Sequence, residues 1–245
     1  MRGLTPIAPG SEIWSAHCSI PRHRHARAYA AVILSGGYEE SGSLGRYRVR
    51  SGHVLLHRAF DAHVDRFASN GARILNLLLN EPPAFGLGVV ADPDTIARAA
   101  EKDLPAAVEA LRETMAPIEP QPADWPDLLA SDLLDDPQLR LETWAGRHGI
   151  APATLSRGFR TIFATSPAAF RAESRAQSAL ALMAAGGSSL AEIAAVAGFA
   201  DQSHMTRAVR ALTGQPPGDW LRSNQFKTRR VEPHLGRRAV HLACL

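Results

Sequence analysis

Apolar residues return at helical spacing in two stretches of the C-terminal half, and the second stretch repeats the pattern of the first. Within 141–170, Leu155, Phe159 and Ile162 form one stripe; within 190–220, Met205, Val209 and Leu212 form another at i, i+4 and i+7. When the stretches are aligned, Ala145 falls on Ala194, Gly149 on Gly198, Arg157 on Arg207, Pro167 on Pro217 and Phe170 on Trp220. Each copy predicts a short helix, a glycine at a tight turn and a second helix with one core-facing side, which is a helix-turn-helix. A repeat at a fixed period marks one architecture built twice. Opposite the stripes lie Ala153, Thr154, Ser156, Arg157 and Arg160 in the first copy, and Gln202, Ser203, His204, Arg207 and Arg210 in the second. These faces are polar and basic, as a helix entering the DNA major groove requires, since arginine bonds guanine edges there. The competing readings are a solvated face on an ordinary packing unit and a protein-binding platform.

The N-terminal part has a different rhythm. Short apolar runs at 29–34, 46–50, 54–57 and 73–79 are broken by Ser35-Gly36-Gly37 and Ser51-Gly52, which predicts a small β-barrel or sandwich. Residues 94–115 show helical spacing interrupted by Pro105, and 116–126, with Pro117, Pro120, Pro122 and Pro126, reads as a semi-rigid linker. Leu104, Val108, Leu111 and Met115 make a stripe that either dimerises or packs on the barrel. The expected organisation is α+β: a sensor domain at 1–90, a helical linker and dimerisation segment at 91–130, an all-α domain with two helix-turn-helix motifs at 131–225, and a tail at 226–245. The tail carries Lys227, Arg229, Arg230, Arg237 and Arg238, which could add phosphate contacts.

With 245 residues and 45% hydrophobic content, the chain can bury two cores. The net charge of +3 conceals a division: residues 1–136 hold 13 Lys and Arg against 18 Asp and Glu, leaving −5, whereas 137–245 hold 14 against 6, leaving +8. A basic C-terminal half is the electrostatic footprint of a phosphate-backbone binder. Cys18 and Cys244 form no metal motif and read as ordinary thiols in a reducing compartment. The chain begins without a basic-then-apolar leader, and its longest apolar run, near 28–34, is too short to span a bilayer, so a cytoplasmic protein with no membrane partner is expected.

Candidate chemistry in the N-terminal domain lies in its histidines. His23 and His25 share one side of an extended segment, and His57 and His63 follow Gly52. Three or four converging imidazoles could hold a divalent transition metal, namely zinc, nickel, iron or manganese. They could equally hydrogen-bond to one another, to Asp61 or Asp65, or to a small effector. Arg46, Arg48 and Arg50 share a strand face expected on the outside of the barrel, and Glu39 and Glu40 are expected to be exposed, although one could reach the histidines.

The run from 193 to 222, with AxxxGF at 194–199, DQSH at 201–204, Arg207, Gly214, Pro217 and Arg222, resembles the AraC/XylS family of transcription regulators. Residues 175–183 resemble the helix that links its two motifs. The resemblance is full over the C-terminal third and looser elsewhere. It implies sequence-specific binding of double-stranded DNA by two recognition helices, with base-edge contacts at Ala153, Ser156 and Arg157 and at Ser203, His204 and Arg207. It also implies a homodimer, a small-molecule effector, and RNA polymerase as a partner if the protein activates. Ala151 and Ala200 depart from the family, which usually places a capping Ser or Thr there; Asp201 is the substitute cap. The histidine pattern resembles the cupin barrel, an HxH followed by a glycine-led strand ending in His, with Tyr29 where cupins usually carry an acidic ligand. No cofactor is required and no enzymatic activity is expected; the alternative is a metal-dependent cupin enzyme fused to a DNA-binding module.

Overall fold

A computed structural model describes residues 4–81, 83–136 and 138–228, with side chains to 223. Cys244 and the basic tail beyond 228 lie outside the described residues. The N-terminal half is a single antiparallel sheet of eight strands: β1 (Gly10–Trp14), β2 (Ser19–Arg24), β3 (Tyr29–Gly42), β4 (Gly45–Arg50), β5 (His53–His57), β6 (Ala62–Leu78), β7 (Leu87–Val89) and β8 (Ala116–Pro117). Two helices, α1 (Pro93–Lys102) and α2 (Leu104–Thr114), follow β7.

The long strands β3 and β6 run through both ends of the sheet. Their outer parts pair with β5 and β1, and their other parts with β4 and β2. Where the two parts meet, the register slips on either side of Gly36. Ser35-Gly36-Gly37 was expected to end the strand as a turn, but it forms this irregularity and the strand continues to Gly42. Gly36 (φ +69°) and Gly71 (φ +60°) are the residues that allow it: a Cβ on Gly36 would stand 2.1 Å from the Gly71 carbonyl oxygen, and one on Gly71 2.2 Å from that of Trp14.

Alternation along β3 then fills two cores. Tyr29, Ala31 and Ile33 face inward onto Tyr38, Tyr47, Val49, Leu55 and Phe67, while Ala30, Val32 and Leu34 face outward onto Ile96, Ala107 and Leu111. The helices are therefore a lid on the sheet. Asp103 ends α1 and caps α2 by accepting from the Ala106 N–H, so the break falls at Asp103 and Pro105 sits in the first turn of α2. Of the proposed dimer stripe, Leu111 is fully buried on the sheet, Val108 and Met115 pack against the same core, and only Leu104 is exposed.

The C-terminal half is helical: α3 (Trp125–Asp135), α4 (Leu141–Arg147), α5 (Pro152–Phe163), α6 (Pro167–Ala185), α7 (Leu190–Val196), α8 (Gln202–Thr213) and α9 (Pro217–Thr228). One core joins α3, α4 and α5 to Phe170 of α6, and a second joins Ala176, Ala179, Leu180 and Met183 of α6 to α7, α8 and Trp220 of α9. The 91–130 segment is thus not one linker. Its helices and residues 116–117 belong to the sheet domain, whereas α3 starts at Trp125 and packs with the helical domain. The linker proper is the short stretch between β8 and α3.

No helix among the described residues is long and apolar enough to cross a membrane. Cys18 is a free thiol that donates to the Ser15 carbonyl.

The bend in β3 makes a sharp prediction. Gly36→Ala should cost about 1–2 kcal/mol for the left-handed backbone and roughly 1–3 kcal/mol more for the clash. Gly149→Ala, at φ +63° with nothing within 4 Å of the new Cβ, should show the backbone cost alone. Equal losses in urea denaturation would contradict the close approach at Gly36.

Candidate nucleic-acid interface

The second helix of each motif is α5 or α8, and sequence dictates where each starts. Pro152 opens α5 with its ring preset to helical φ, but Ala151 gives no side-chain cap. Asp201, one residue past Ala200, caps α8 by accepting from the His204 N–H at 2.6 Å. Helix α7 closes its own start with a capping box between Ser189 and Glu192. The apolar stripes face the cores: Leu155 and Phe159 are buried in α5, with Phe163 and the half-buried Ile162, and Met205, Val209 and Leu212 are buried in α8. Ala153, Thr154, Ser156 and Arg157 are exposed on α5, as are Gln202, Ser203, His204, Arg207 and Arg210 on α8. Arg160, also exposed, lines a cleft facing the sheet domain.

The far ends of both helices are held by arginines from the sheet. Arg66 on β6 donates to the Thr161 and Ile162 carbonyls at 2.8 and 2.9 Å, and Arg22 on β2 donates to that of Phe163 at 3.0 Å. Arg24 reaches the Leu212 carbonyl of α8 at 3.4 Å. Three guanidinium groups therefore sit at helix C-termini, where the backbone carbonyls lack partners and the dipole is negative. Arg22 also pairs with Glu173 of α6 at 2.5 Å. From α6, Gln177 donates to the Ala59 carbonyl and to Asp61, and Phe60 packs on the second helical core. Arg46 was expected on the outside of the barrel; its side chain is 4% exposed and grips Asp124 and Asp127 at the start of α3, while Arg48 and Arg50 are exposed as expected.

The four histidines gather inside the sheet domain, but not as one ligand set. Ligand atoms of His23, His25 and His63 lie within 4.8 Å of one another, as do those of Glu40, His57 and His63. The two triads share His63. Tyr29 stacks on His57 at 4.3 Å, and its hydroxyl lies 3.4 Å from His63 Nε2. Glu40, expected to be exposed, is buried with a carboxylate oxygen 3.5 Å from His57 Nε2. Alternation from the inward-facing Tyr38 was the signal that places it inside. Glu39 is half-buried and pairs with Arg48 at 3.0 Å.

Burial lowers His57 to about 3 and His63 well below its ordinary value, so both imidazoles are neutral near pH 7. Burial also raises the cross-strand pair Glu40 and Asp65, Asp65 to about 7 and Glu40 well above its ordinary value, so the pair retains a proton. His57 Nε2, His63 Nδ1 and Asp65 Oδ1 have no hydrogen-bond partner, and the adjoining void is about 10 Å³. Glu40, His57 and His63 line that void; the neutral imidazoles suit a metal ion, which would have to displace the proton that the carboxyl pair retains.

The family model described as Helix-turn-helix domain matches residues 144–223, which run from α4 into α9. These residues form an AraC-type helix-turn-helix domain. No curated protein matches the chain significantly. Among solved structures, the chain is similar to ToxT from Vibrio cholerae O395, at 13% identity over 91% of this chain and 98% of that one, with a TM-score of 0.39. It is also similar to the DNA-binding domain of AdpA, a global transcriptional factor solved with a target DNA, at 23% identity over 44% and 97%, TM-score 0.40. A probable AraC family transcriptional regulator from Rhodopseudomonas palustris CGA009 matches at 22% identity over 39% and 92%, TM-score 0.36.

Within the AraC-type domain the two recognition helices differ in their caps. Asp201→Ala should lower stability by about 1 kcal/mol, read as a shift in the thermal midpoint. An unchanged midpoint would show that α8 does not depend on this cap.

Proposed function

We propose that the protein is a sequence-specific DNA-binding transcription regulator acting in the cytoplasm as a homodimer. The observation that carries this reading is that both recognition helices turn their uncovered polar faces, including Arg157 and Arg207, away from the cores that hold them. Held by α6, α5 and α8 would enter successive major-groove segments about 34 Å apart. Base edges fall to Ser156 and Arg157 and to Ser203, His204 and Arg207, with methyl contact from Ala153. Thr154, Gln202 and Arg210 flank them on the exposed faces, and Arg160 stands nearest the sheet domain. Double-stranded DNA is the main partner, and RNA polymerase joins it if the protein activates.

The sheet domain is read as the control element, with a divalent transition metal held through His63. Either triad supplies three ligands. At Glu40, His57 and His63 the adjoining void of about 10 Å³ leaves no room for an organic substrate, whereas the triad of His23, His25 and His63 borders the interdomain cleft through His23. The helix-turn-helix match over 144–223 favours a regulator over a metal-dependent enzyme joined to a DNA anchor.

Two measurements test the reading. In mobility-shift titrations against its promoter region, Arg207→Ala should weaken specific binding roughly 5- to 150-fold, the equivalent of about 1–3 kcal/mol, and nonspecific binding much less; equal losses would remove the base-reading role. Elemental analysis of purified protein should find about one equivalent of a transition metal, lost in His63→Asn. Less than a tenth of an equivalent in the parent protein would end the metal assignment and leave DNA recognition untouched.

A further inference from the structure

Residues 58–61, which connect β5 to β6, form a short and tightly closed turn. The Arg58 N–H donates to Asp61 Oδ2 at 2.9 Å, its guanidinium pairs with the same carboxylate, and the Asp61 N–H donates to the Arg58 carbonyl at 3.2 Å. At the tip, Phe60 stands at φ +68°. A bulky side chain rarely adopts that backbone, so its surroundings must hold it there. They do so from both domains: the Phe60 N–H donates to the His25 carbonyl at 2.7 Å, and the buried Gln177 of α6 donates to the Ala59 carbonyl and to Asp61, each at 3.0 Å. The ring thereby leaves the sheet domain and packs on the second helical core, built from α6, α7, α8 and α9. No other apolar side chain of the sheet domain joins either helical core among the described residues. The two motifs are otherwise held unequally. Arg22 and Arg66 bond three carbonyls at the end of α5 at 2.8–3.0 Å, whereas Arg24 alone reaches the end of α8, at 3.4 Å.

We propose that Phe60 is a positioning residue for DNA recognition. Its ring, turned outward by the left-handed backbone and seated in the second helical core, fixes the second motif against the sheet domain, and so fixes α8 relative to α5. A recognition helix that is already held loses less freedom when it binds. Nonspecific contact with phosphates tolerates looser geometry, so the seat acts on specific binding. The packing of the ring stands on its own geometry; its effect on DNA rests on the regulator reading.

Two substitutions in the full chain separate the ring from the backbone, each verified as folded by its melting curve. Phe60→Asn keeps a residue that accepts the left-handed region but removes the apolar ring, and Phe60→Leu keeps apolar bulk. In Phe60→Asn, amide hydrogens of α8 should exchange roughly fivefold faster or more while those of α5 stay within about twofold. Mobility shifts should show specific binding to the promoter region weakened roughly fivefold or more, and binding to an unrelated duplex within about twofold. Phe60→Leu should keep both properties within about twofold of the parent. The seat is overturned if Phe60→Asn leaves exchange in α8 unchanged, if α5 loosens as much as α8, or if Phe60→Leu loses as much as Phe60→Asn. Faster exchange in α8 with specific binding unchanged overturns the positioning role and keeps the seat. A parent chain that shifts no duplex overturns the regulator reading, and the exchange measurement still decides the seat.

Discussion

The Arg22 guanidinium is almost wholly removed from water, so it must find acceptors or the docked arrangement is not stable. It finds them across the domain boundary, in the Phe163 carbonyl and the Glu173 carboxylate. Removing one partner of a buried pair costs about 3–5 kcal/mol because the other charge is left without compensation. The position of β2 against α5 and α6 is therefore fixed by a charge requirement. Arg66 on the Thr161 and Ile162 carbonyls, Gln177 on Asp61, and Phe60 in the second helical core follow the same placement.

This grip divides each recognition helix by function. The start of α5 and of α8 carries the exposed polar residues, and the end of each is held by an arginine of the sheet. Helix carbonyls at a C-terminus have no partners of their own, so the sheet domain can hold the helices there without covering Arg157 or Arg207. Arg160, one turn past Arg157 on α5, lies at the border and turns toward the cleft.

The helical half was legible because its periodicity reports burial directly. Leu155 and Phe159, and Met205, Val209 and Leu212, stand in the cores where the spacing puts them. Helix α3 was not legible, because Pro126 reads as a breaker until Trp125 starts a helix and the proline takes an early position in its first turn. In the sheet, Ser35-Gly36-Gly37 reads as a turn on local chemistry alone. Only the approach of Gly71 to Gly36, a contact between residues far apart in sequence, makes the same glycines a bend within one strand. Missing that bend moved Glu40 from the interior, where it meets His57, to an imagined surface. Arg46 was misplaced for a related reason: its acceptors Asp124 and Asp127 come from the helical domain, which no strand pattern reveals.

Strand β2 holds the two kinds of chemistry together by simple alternation. Arg22 and Arg24 face the helical domain, while His23 and the nearby His25 approach His63, at ring-centroid distances of 4.2 and 5.5 Å. His23 is half-buried and also lines the interdomain cleft, so it belongs to both surroundings. A short extended strand transmits displacement because its backbone is bonded to β6 on one side and its side chains reach the other domain. A ligand that fixes His23 and His25 against His63 would thereby fix the two arginines between them. The contacts with His63 and those with α5 and α8 thus depend on the placement of the same short strand, since each helix end is held by hydrogen bonds whose strength falls steeply with geometry.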